Sequence, residues 1–420
     1  MAPQDVALFI YNLTLLPIVF FSVLFMMLAM LNLLLGRKKE ESFKELEELP
    51  FITVQIPAYN DPIAERCIRH CMEFNYPNDK YEIIIADDST NLETQNLLAR
   101  FEEQNPRFVK YIHRDHRKGF KAGALKNSMK YAKGEFIVIF DADWMPGKDF
   151  LSNVIRPFSD PKVAIAQTRQ GFYNRESNII TRFAAYLLMT YHTIIMPINN
   201  KINCVFFCGT AGAIRRSTFE KVGGWNLNSL TEDSDLTVKM LLNGYKTVYL
   251  ELETPSEVPA TFESFLKQQM RWCYGNTRVF FDNAFKILFK RGITLSQRIM
   301  ILFVTLGNMA APFVFVMTLA GFSGWFLGEP ELFNLTDLVD LATRIFITGG
   351  FLIIGAIALY KNKLLKEFPY LILTSITIGI ILAVANSIAL LKAAFNKKLS
   401  WFCTTKEANT KLAYHPNRNI

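Results

Sequence analysis

Two aspartates follow a strongly apolar run near the middle of the 420-residue chain. The run is Phe136–Phe140, and Asp141 and Asp143 come directly after it. A buried strand that ends this way presents carboxylates to a hard divalent cation, since Mg²⁺ and Mn²⁺ prefer oxygen ligands together with water and phosphate. We predict a metal site at Asp143 and Asp141, where the cation would neutralise a nucleoside-diphosphate leaving group. The alternative is a carboxylate pair that only caps or turns the chain.

Polar residues also end two earlier strand-like runs. Pro57, Tyr59 and Asn60 follow the first run, and Asp87 and Asp88 follow the second. Ligands bind beyond the carboxyl ends of the strands in sheets of this kind, and a carboxylate there can accept hydrogen bonds from a base or ribose. We predict that these residues, together with Asp141, bind a nucleotide sugar. For Asp87 the alternative is capping of the next helix.

Lys121 lies in the segment Lys118–Ala124, which opens a predicted helix. At a helix N-terminus its ammonium group could reach a phosphate, with help from the helix dipole. We predict that Lys121 contacts the diphosphate of the nucleotide sugar. A solvated surface lysine is the alternative.

A further acidic motif, Thr231-Glu232-Asp233, precedes the amphipathic run Leu236–Leu242 and therefore marks a helix start. A carboxylate held at such a position can act as a general base that takes the proton from an attacking hydroxyl. Asp233 and Glu232 are the predicted catalytic residues. Capping by Thr231 is the alternative explanation of the motif.

Gln268, Arg271 and Trp272 fall on adjacent turns of one helix face. A guanidinium group pairs well with a diphosphate, and an indole ring stacks on a sugar ring. This helix face could therefore contact a diphosphate through Arg271 and a sugar ring through Trp272, with Gln268 beside them. A tryptophan that anchors a helix at the membrane interface is the alternative.

Strand-like and helix-like stretches alternate between Pro50 and Tyr249. This alternation predicts an α/β fold with a mainly parallel sheet that is covered on both faces. The predicted strands are 52–56, 82–86, 109–112, 136–140 and 163–167, and the predicted helices are 63–74, 93–103 and 120–132.

Apolar segments flank this region. Residues 6–36 contain no charge and are long enough to span a bilayer, and Asp5 together with the length of the run distinguishes them from a cleaved signal peptide. Arg37, Lys38 and Lys39 follow at once and would hold that end in the cytosol. Further predicted spans are 299–327, 345–360 and 369–391. Residues 261–292 are amphipathic and resemble a helix on the membrane surface, or else a helix packed on the soluble domain.

The charges of the loops do not agree with a simple count of these spans. An acidic loop around Glu329 suits the outer side and Lys361 to Lys366 suit the inner side, so the tail after Leu391 would emerge outside. That tail nevertheless carries Lys392, Lys397 and Lys398. Either one segment is interfacial or re-entrant, or the tail is an exception to the rule.

The composition limits the function classes. Half of the residues are hydrophobic and a fifth are charged, as expected for a soluble domain joined to membrane segments. The net charge of +8 comes without a long basic run or a nucleic-acid motif, so no nucleic-acid partner is expected. The six cysteines lack zinc-site spacing and are expected to be reduced, which points to a cytosolic domain.

The order of these motifs resembles a known family. Asp88, Asp143, Asp233 and Gln268-x-x-Arg271-Trp272, followed by apolar helices, look like the D, D, D, QxxRW signature of membrane-integrated family 2 glycosyltransferases. The resemblance covers residues 50–280 and is strongest toward cellulose-synthase-like mannan and glucan synthases.

The resemblance implies a GT-A fold that uses a UDP- or GDP-hexose with Mn²⁺ or Mg²⁺. Asp88 would help to hold the nucleotide, Asp143 the metal, and Asp233 would be the base of an inverting transfer. Trp272 would hold the terminal acceptor sugar, with Gln268 and Arg271 near the diphosphate. Phe207, Cys208, Gly209 and Thr210 resemble a finger-like loop that lines the acceptor path.

Five regions follow from these observations. They are a transmembrane helix at 1–36, a cytosolic GT-A domain at 37–260, interfacial helices at 261–295, a transmembrane region at 296–393 and a basic, cytosolic tail at 394–420, where Trp401–Lys406 faintly resembles a gating segment of the family. We expect an integral membrane protein that builds a β-linked glycan, mannan or glucan in type. The alternative acceptor is a membrane lipid, such as diacylglycerol or a sphingolipid, that receives a single sugar. The chain has fewer predicted membrane spans than bacterial cellulose synthases, so a homo-oligomer could complete a secretion path for the product.

Overall fold

The computed structural model describes residues 2–35, 43, 46, 48–328 and 338–399, and side chains of the last range from residue 342. An α/β domain packs there against a group of apolar helices. Three segments used in the sequence interpretation lie outside the described residues: Arg37–Lys39, the acidic loop at Glu329 to Asp337, and Trp401–Lys406 of the tail.

Seven strands of the described chain form one sheet in the order β3-β2-β1-β4-β6-β5-β7. All neighbouring pairs are parallel except the two that involve β6. Apolar clusters cover both faces of the sheet, so the predicted α/β fold with a mainly parallel sheet is confirmed. The strands are β1 Ile52–Ala58, β2 Tyr81–Asp87, β3 Val109–His113, β4 Phe136–Ile139, β5 Val163–Phe172, β6 Gly212–Arg215 and β7 Lys246–Ser256.

The sequence interpretation missed β6 and β7. β6 has only four residues, Gly212–Arg215, and begins with two small ones, so no run of large or β-branched residues signals a strand. β7 is long but carries charged residues in its middle, Glu251 and Glu253. β7 pairs with β5 at the edge of the sheet, where one face is open to solvent, which is why those charges are tolerated.

The helices of the α/β domain connect the strands and cover the sheet. Side-chain caps fix several of their starts: Asn91 accepts the Thr94 N–H at 2.7 Å, and Thr261 accepts the Ser264 N–H at 3.2 Å. The α-helices of the described residues are α1 Pro3–Leu35, α2 Ala64–Met72, α3 Leu92–Gln104, α4 Phe120–Ser128, α5 Phe150–Val154, α6 Ile179–Thr190, α7 Met196–Lys201, α8 Arg216–Lys221, α9 Glu232–Leu242, α10 Phe262–Phe289, α11 Leu295–Leu306, α12 Ala310–Phe326, α13 Leu338–Thr348, α14 Gly350–Lys361, α15 Phe368–Ile376 and α16 Ile378–Ala394.

Three helical stretches of the described chain are long and apolar enough to cross a membrane: Pro3–Leu35, Ile179–Lys201 and Leu295–Phe326. Two bent pairs raise this number to five if each pair forms one span; α13 and α14 meet at 75°, and α15 and α16 at 48°. Ile179–Lys201 was not predicted. It consists of α6, a π-helical turn at Tyr191–Ile195 and α7, and more than half of it is buried inside the protein.

Polar contacts attach the apolar helices at the two ends of the chain to its middle part. Asn32 near the end of α1 donates to the carbonyl oxygen of Ile194 at 3.0 Å. Glu367, just before α15, pairs with Arg175 and Arg182 at 3.3 and 3.2 Å. The apolar helices and the α/β domain therefore form one packed structure.

Gly350, at the start of α14, generates a stability prediction because it lies against the backbone of α1. An added Cβ would lie 2.1 Å from the Ser22 carbonyl oxygen, and the Gly350 N–H donates to the Ser22 hydroxyl at 2.7 Å. We expect Gly350→Ala to lower the free energy of unfolding by about 1–3 kcal/mol, because the two helices must separate. Thermal unfolding in a fixed detergent measures this. Gly307→Ala, where nothing lies within 4 Å of the new Cβ, is the control, and equal melting temperatures of the two variants would contradict the prediction.

Candidate active site

One cavity opens beyond the carboxyl ends of β1 and β4, and most of the predicted site residues line it. Its wall combines the loops after β1 and β4 with α4, the loop before β6, the start of α9, the segment after β7, and α10. Residues far apart in sequence thus meet at one edge of the sheet. The predicted residues in the wall are Pro57, Tyr59, Asp88, Lys121, Asp141, Asp143, Cys208, Thr210, Glu232, Asp233, Gln268, Arg271 and Trp272.

The two aspartates after β4 have different surroundings. Asp143 is buried, and one of its carboxylate oxygens, Oδ2, accepts the Glu257 N–H at 3.1 Å. Asp141 is more exposed and lies 2.6 Å from the Lys121 ammonium, while its own N–H donates to the Thr210 hydroxyl at 3.0 Å. One carboxylate is therefore held rigidly and the other lies beside the open part of the cavity.

This pair fits a divalent cation that takes its remaining ligands from a bound molecule. Among the described residues no group of three or more His, Cys, Asp or Glu side chains is arranged to hold a metal. Mg²⁺ and Mn²⁺ are commonly bound by one or two carboxylates together with substrate phosphates and water. Asp141 and Asp143 would be the protein ligands in such an arrangement.

Lys121 is placed by the turn that starts α4. The preceding Gly119 and Phe120 adopt φ of 76° and 47°, the left-handed region that favours glycine. The ammonium group donates to the Gly209 carbonyl oxygen at 2.9 Å in addition to its pairing with Asp141. Burial alone would lower the pKa of Lys121, but the surrounding carboxylates, Asp141 first, raise that pKa above its ordinary value. Lys121 is therefore a fixed positive charge.

Asp233 lies at the start of α9, where its Oδ1 accepts the Ser234 N–H at 2.8 Å. Burial and the neighbouring charge of Glu232 raise the pKa of Asp233 to about 7, although Lys121 and Arg271 act in the opposite direction. A carboxyl group with this pKa can exchange a proton near neutral pH. Thr231 does not cap the helix with its side chain, so that alternative reading of the motif is wrong.

Helix α10 carries Gln268, Arg271 and Trp272 into the same cavity. Close packing on the start of α9 fixes its position, since a Cβ at Gly275 would lie 2.4 Å from the Thr231 methyl group. Only a residue without a side chain allows this approach. Sequence reasoning missed the contribution of Gly275, because a lone glycine in a helical pattern gives no sign of what it packs against.

Asp88 lines the cavity, but its carboxylate is already engaged. Arg114 donates from Nε to Oδ1 at 2.7 Å and from Nη2 to Oδ2 at 2.5 Å, and both side chains are largely buried. Arg114 also donates to the Phe120 carbonyl oxygen at 3.2 Å, just before Lys121. The ion pair therefore joins the end of β2 to the start of α4, and Arg114 was not predicted.

The structure does not bring four predicted residues into the cavity wall: Asn60, Asp87, Phe207 and Gly209. Asp87 is buried and bonded to the Ser89 N–H at 3.0 Å, to the Tyr111 hydroxyl at 2.8 Å and to His113 at 3.0 Å. Asn60 bonds to Ser89, Thr90 and Asn91 in the next loop, Phe207 is buried in the core, and Gly209 lies behind Lys121. These positions support the site from outside its wall.

Two further cavity residues were not anticipated. The Arg117 guanidinium lies 3.2 Å from the centre of the Tyr59 ring, an arrangement that favours a cation–π contact. Glu257 follows β7 and adds a buried carboxylate beside Asp143. The basic residues Arg114, Arg117 and Lys118 were the available sequence signal for the first of these, and Glu257 directly follows a strand that was itself missed.

A mainly parallel sheet with acidic loops, a buried lysine and an arginine–tryptophan helix around one cavity defines a GT-A-type glycosyltransferase domain joined to apolar helices. Residues 136–385 match the model of Glycosyl transferase family group 2. The chain belongs to this family.

Known proteins resemble the chain in sequence and in fold. It is 35% identical over 281 residues to the probable glucomannan 4-beta-mannosyltransferase 7 of Oryza sativa subsp. japonica, and the aligned region covers 64% of this chain and 48% of that protein. It is 33% identical over 292 residues to glucomannan 4-beta-mannosyltransferase 9 of Arabidopsis thaliana, covering 64% and 54%. The chain spans about half the length of these curated relatives. The mannosyltransferase PcManGT from Pyrobaculum calidifontis, solved with GDP-Man and Mn²⁺, shares the fold with a TM-score of 0.61 at 20% identity, covering 94% of this chain and 100% of that one.

The Asp88–Arg114 pair generates the second prediction. Arg114→Gln leaves a carboxylate buried without its counter-charge, so we expect the free energy of unfolding to fall by about 3 kcal/mol. Arg69→Gln removes an exposed pair with Glu65 and should cost less than about 1 kcal/mol. Thermal or denaturant unfolding in detergent measures both, and Asp88→Asn added to Arg114→Gln should recover part of the loss. Equal effects of the two arginine variants would show that the buried pair does not stabilise the fold.

Proposed function

We propose that the protein is an inverting glycosyltransferase that transfers a hexose from a UDP- or GDP-sugar to the non-reducing end of a β-linked glycan, a β-1,4-mannan or glucan, at the membrane. The observation that carries the proposal is the single cavity shared by Asp143, Asp233 and Trp272. The names of the plant relatives favour mannose as the transferred sugar.

On the donor side, positive groups are available for a diphosphate. Lys121 and Arg271 both line the cavity, and Lys121 keeps its charge because carboxylates surround it. Asp143 and Asp141 would hold Mn²⁺ or Mg²⁺. The bound cation would neutralise the charge that develops on the leaving diphosphate. Tyr59, Arg117 and Asp88 line the part of the wall formed by the loops after β1 and β2 and before α4, where the nucleoside is proposed to bind.

On the acceptor side, Asp233 is the proposed base. As the acceptor hydroxyl oxygen forms its bond to the anomeric carbon, the bond from that carbon to the diphosphate oxygen breaks and the hydroxyl proton passes to the Asp233 carboxylate. One direct displacement inverts the anomeric configuration and yields a β-linkage from an α-linked donor. Trp272, Cys208 and Thr210 line the same cavity and are proposed to hold the terminal acceptor sugar.

We place the catalytic domain in the cytosol. The five described cysteines are free, as a reducing compartment requires. The bent pair α15–α16 begins at Glu367, which contacts Arg182, and ends at Ala393, whose carbonyl oxygen accepts from Arg278 at 3.2 Å. These contacts attach the pair to α6 and α10, and the basic residues Lys392, Lys397 and Lys398 at its end support a tail on the cytosolic side.

One observation favours the alternative lipid acceptor. The cavity wall includes Phe172, Leu188 and Pro259, and Leu188 belongs to the apolar stretch Ile179–Lys201. An apolar wall beside a membrane-length helix could hold the base of a lipid tail. In that case the same residues would transfer one sugar to a lipid hydroxyl.

Incubation of the full-length protein in nanodiscs with Mn²⁺ and, separately, UDP-glucose, GDP-mannose, UDP-GlcNAc and GDP-glucose tests the proposal. We expect release of nucleoside diphosphate from GDP-mannose and a large product that β-mannanase digests. Asp233→Asn should lower kcat by about 10²–10⁴-fold while nucleotide binding is kept, because only the base is lost. A small lipid-extractable product would favour the alternative acceptor, and no turnover of any donor by the wild type would refute the proposal.

The raised pKa of Asp233 predicts a pH profile. A base must be deprotonated, so kcat/KM should rise with pH through a limb near 7 and level off above it. Removing the Glu232 charge by Glu232→Gln lowers the pKa of Asp233, so the limb should shift to lower pH. Initial rates measured from about pH 5 to about pH 9 test this prediction, because that range brackets the pKa of Asp233. A limb that stays in place in Glu232→Gln would exclude Asp233 as the titrating group.

A further inference from the structure

A partly buried polar cluster, formed by Arg66, Tyr173 and Glu257, lies beside the loop that carries Asp143. Arg66 Nη2 donates to the Tyr173 hydroxyl at 2.5 Å and lies 3.3 Å from the Glu257 carboxylate. The Tyr173 hydroxyl also donates to the same Glu257 oxygen. The three residues come from α2, from the end of β5 and from the end of β7.

The cluster contacts Asp143 in two places. Arg66 Nη2 donates to the Asp143 carbonyl oxygen at 3.3 Å, and the Glu257 N–H donates to Asp143 Oδ2 at 3.1 Å. One contact fixes the backbone of the residue and the other fixes one oxygen of its carboxylate. Together they determine the direction in which that carboxylate points.

Burial makes the charges of the cluster interdependent. The Glu257 side chain is only 1% exposed and lies on the same cavity as two further carboxylates, Asp141 and Asp143. A carboxylate buried near like charges needs a counter-charge, and Arg66 supplies it. Without Arg66, the Glu257 carboxylate and the segment that carries its N–H would have to move.

Backbone hydrogen bonds at the ends of β5 and β7 hold the segment that carries Glu257 against the loop that carries Asp143. The Tyr173 N–H donates to the Ser256 carbonyl oxygen at 3.2 Å, and the Met145 N–H donates to the Pro255 carbonyl oxygen at 3.0 Å. Backbone hydrogen bonds therefore join the end of β5 to the end of β7, and the end of β7 to the loop that carries Asp143.

We propose that Arg66, Tyr173 and Glu257 are positioning residues that set the affinity of Asp143 for its divalent cation. The inference rests on the proposed function, because it requires Asp143 to be a metal ligand. Groups that orient a metal ligand by hydrogen bonds typically contribute 10- to 100-fold to metal affinity. The effect should therefore appear in metal binding itself and not only in catalysis.

Mn²⁺-dependent binding of GDP and UDP to the full-length protein in nanodiscs tests this. Calorimetric titrations at a series of Mn²⁺ concentrations, and in EDTA, separate the metal-dependent part of nucleotide binding from the rest. The variants are Glu257→Gln, Arg66→Gln and the milder Tyr173→Phe. Arg69→Gln, one turn further along α2 and paired with Glu65 at the surface, is the matched control.

We expect the half-saturating Mn²⁺ concentration to rise about tenfold or more in Glu257→Gln and Arg66→Gln, and less in Tyr173→Phe. Nucleotide affinity in EDTA should stay close to that of Arg69→Gln in all three variants. The melting temperature should fall in Arg66→Gln, which leaves the Glu257 carboxylate without its counter-charge, and stay close to that of Arg69→Gln in Glu257→Gln, which removes this buried charge. A half-saturating concentration within twofold of the wild type in both charge variants would overturn the inference. So would an equal loss of nucleotide binding with and without Mn²⁺, which would indicate a general structural role.

The two proposals can fail separately. If the wild type binds neither GDP nor UDP in the presence of Mn²⁺, the proposed function itself fails. If the wild type binds one of them and the variants match it, only the positioning role fails.

Discussion

The site depends on a balance of buried charge. Lys121 lies between the Asp141 carboxylate at 2.6 Å and the Gly209 carbonyl oxygen at 2.9 Å, with Asp233 close by. Without a positive charge at this point, carboxylates from the ends of β4 and α9 would repel each other across one cavity. The same solution recurs at the other acidic positions, where Arg114 pairs with Asp88 and Arg66 with Glu257. Each acidic motif receives a cation from a different segment of the chain, so the site forms only when the whole sheet is assembled.

The apolar helices also contribute to the geometry of the site. Helix α10 carries Arg271 and Trp272 to the cavity at one end and packs along α16, where Cys273 contacts the carbonyl oxygen of Asn386. Helix α10 also packs closely on the start of α9, because Gly275 has no side chain and can approach Thr231, two residues before Asp233. The position of the proposed base relative to the proposed acceptor platform is thus set by a helix that lies between the sheet and the apolar helices. This arrangement would place the proposed transfer beside the apolar helices.

Much of the fold could be predicted because its signals are local. Apolar runs that end in Asp88 or Asp143 indicate parallel strands, and the two acidic loops fall at the same edge of the sheet. Four-residue β6 and the charged edge strand β7 gave no such signal, and with them Glu257 was missed. Asp87 shows the opposite limit. Its sequence position is as favourable as that of Asp88, but its carboxylate is turned to Tyr111 and His113, and only tertiary contacts decide between two adjacent aspartates.

The pairing of Asp88 with Arg114 changes how the first acidic motif is best understood. A carboxylate bonded to both Nε and Nη2 of one guanidinium group has less capacity left for a base or ribose than an unpaired one. Arg114 in turn bonds to the carbonyl oxygens of Lys118 and Phe120, which places the turn from which Lys121 enters the cavity. In the proposed function, Asp88 would therefore influence the donor site through the start of α4 as well as through any direct contact. Its effect and that of Lys121 would be coupled, because the ion pair lies at one end of the turn that places the Lys121 ammonium group.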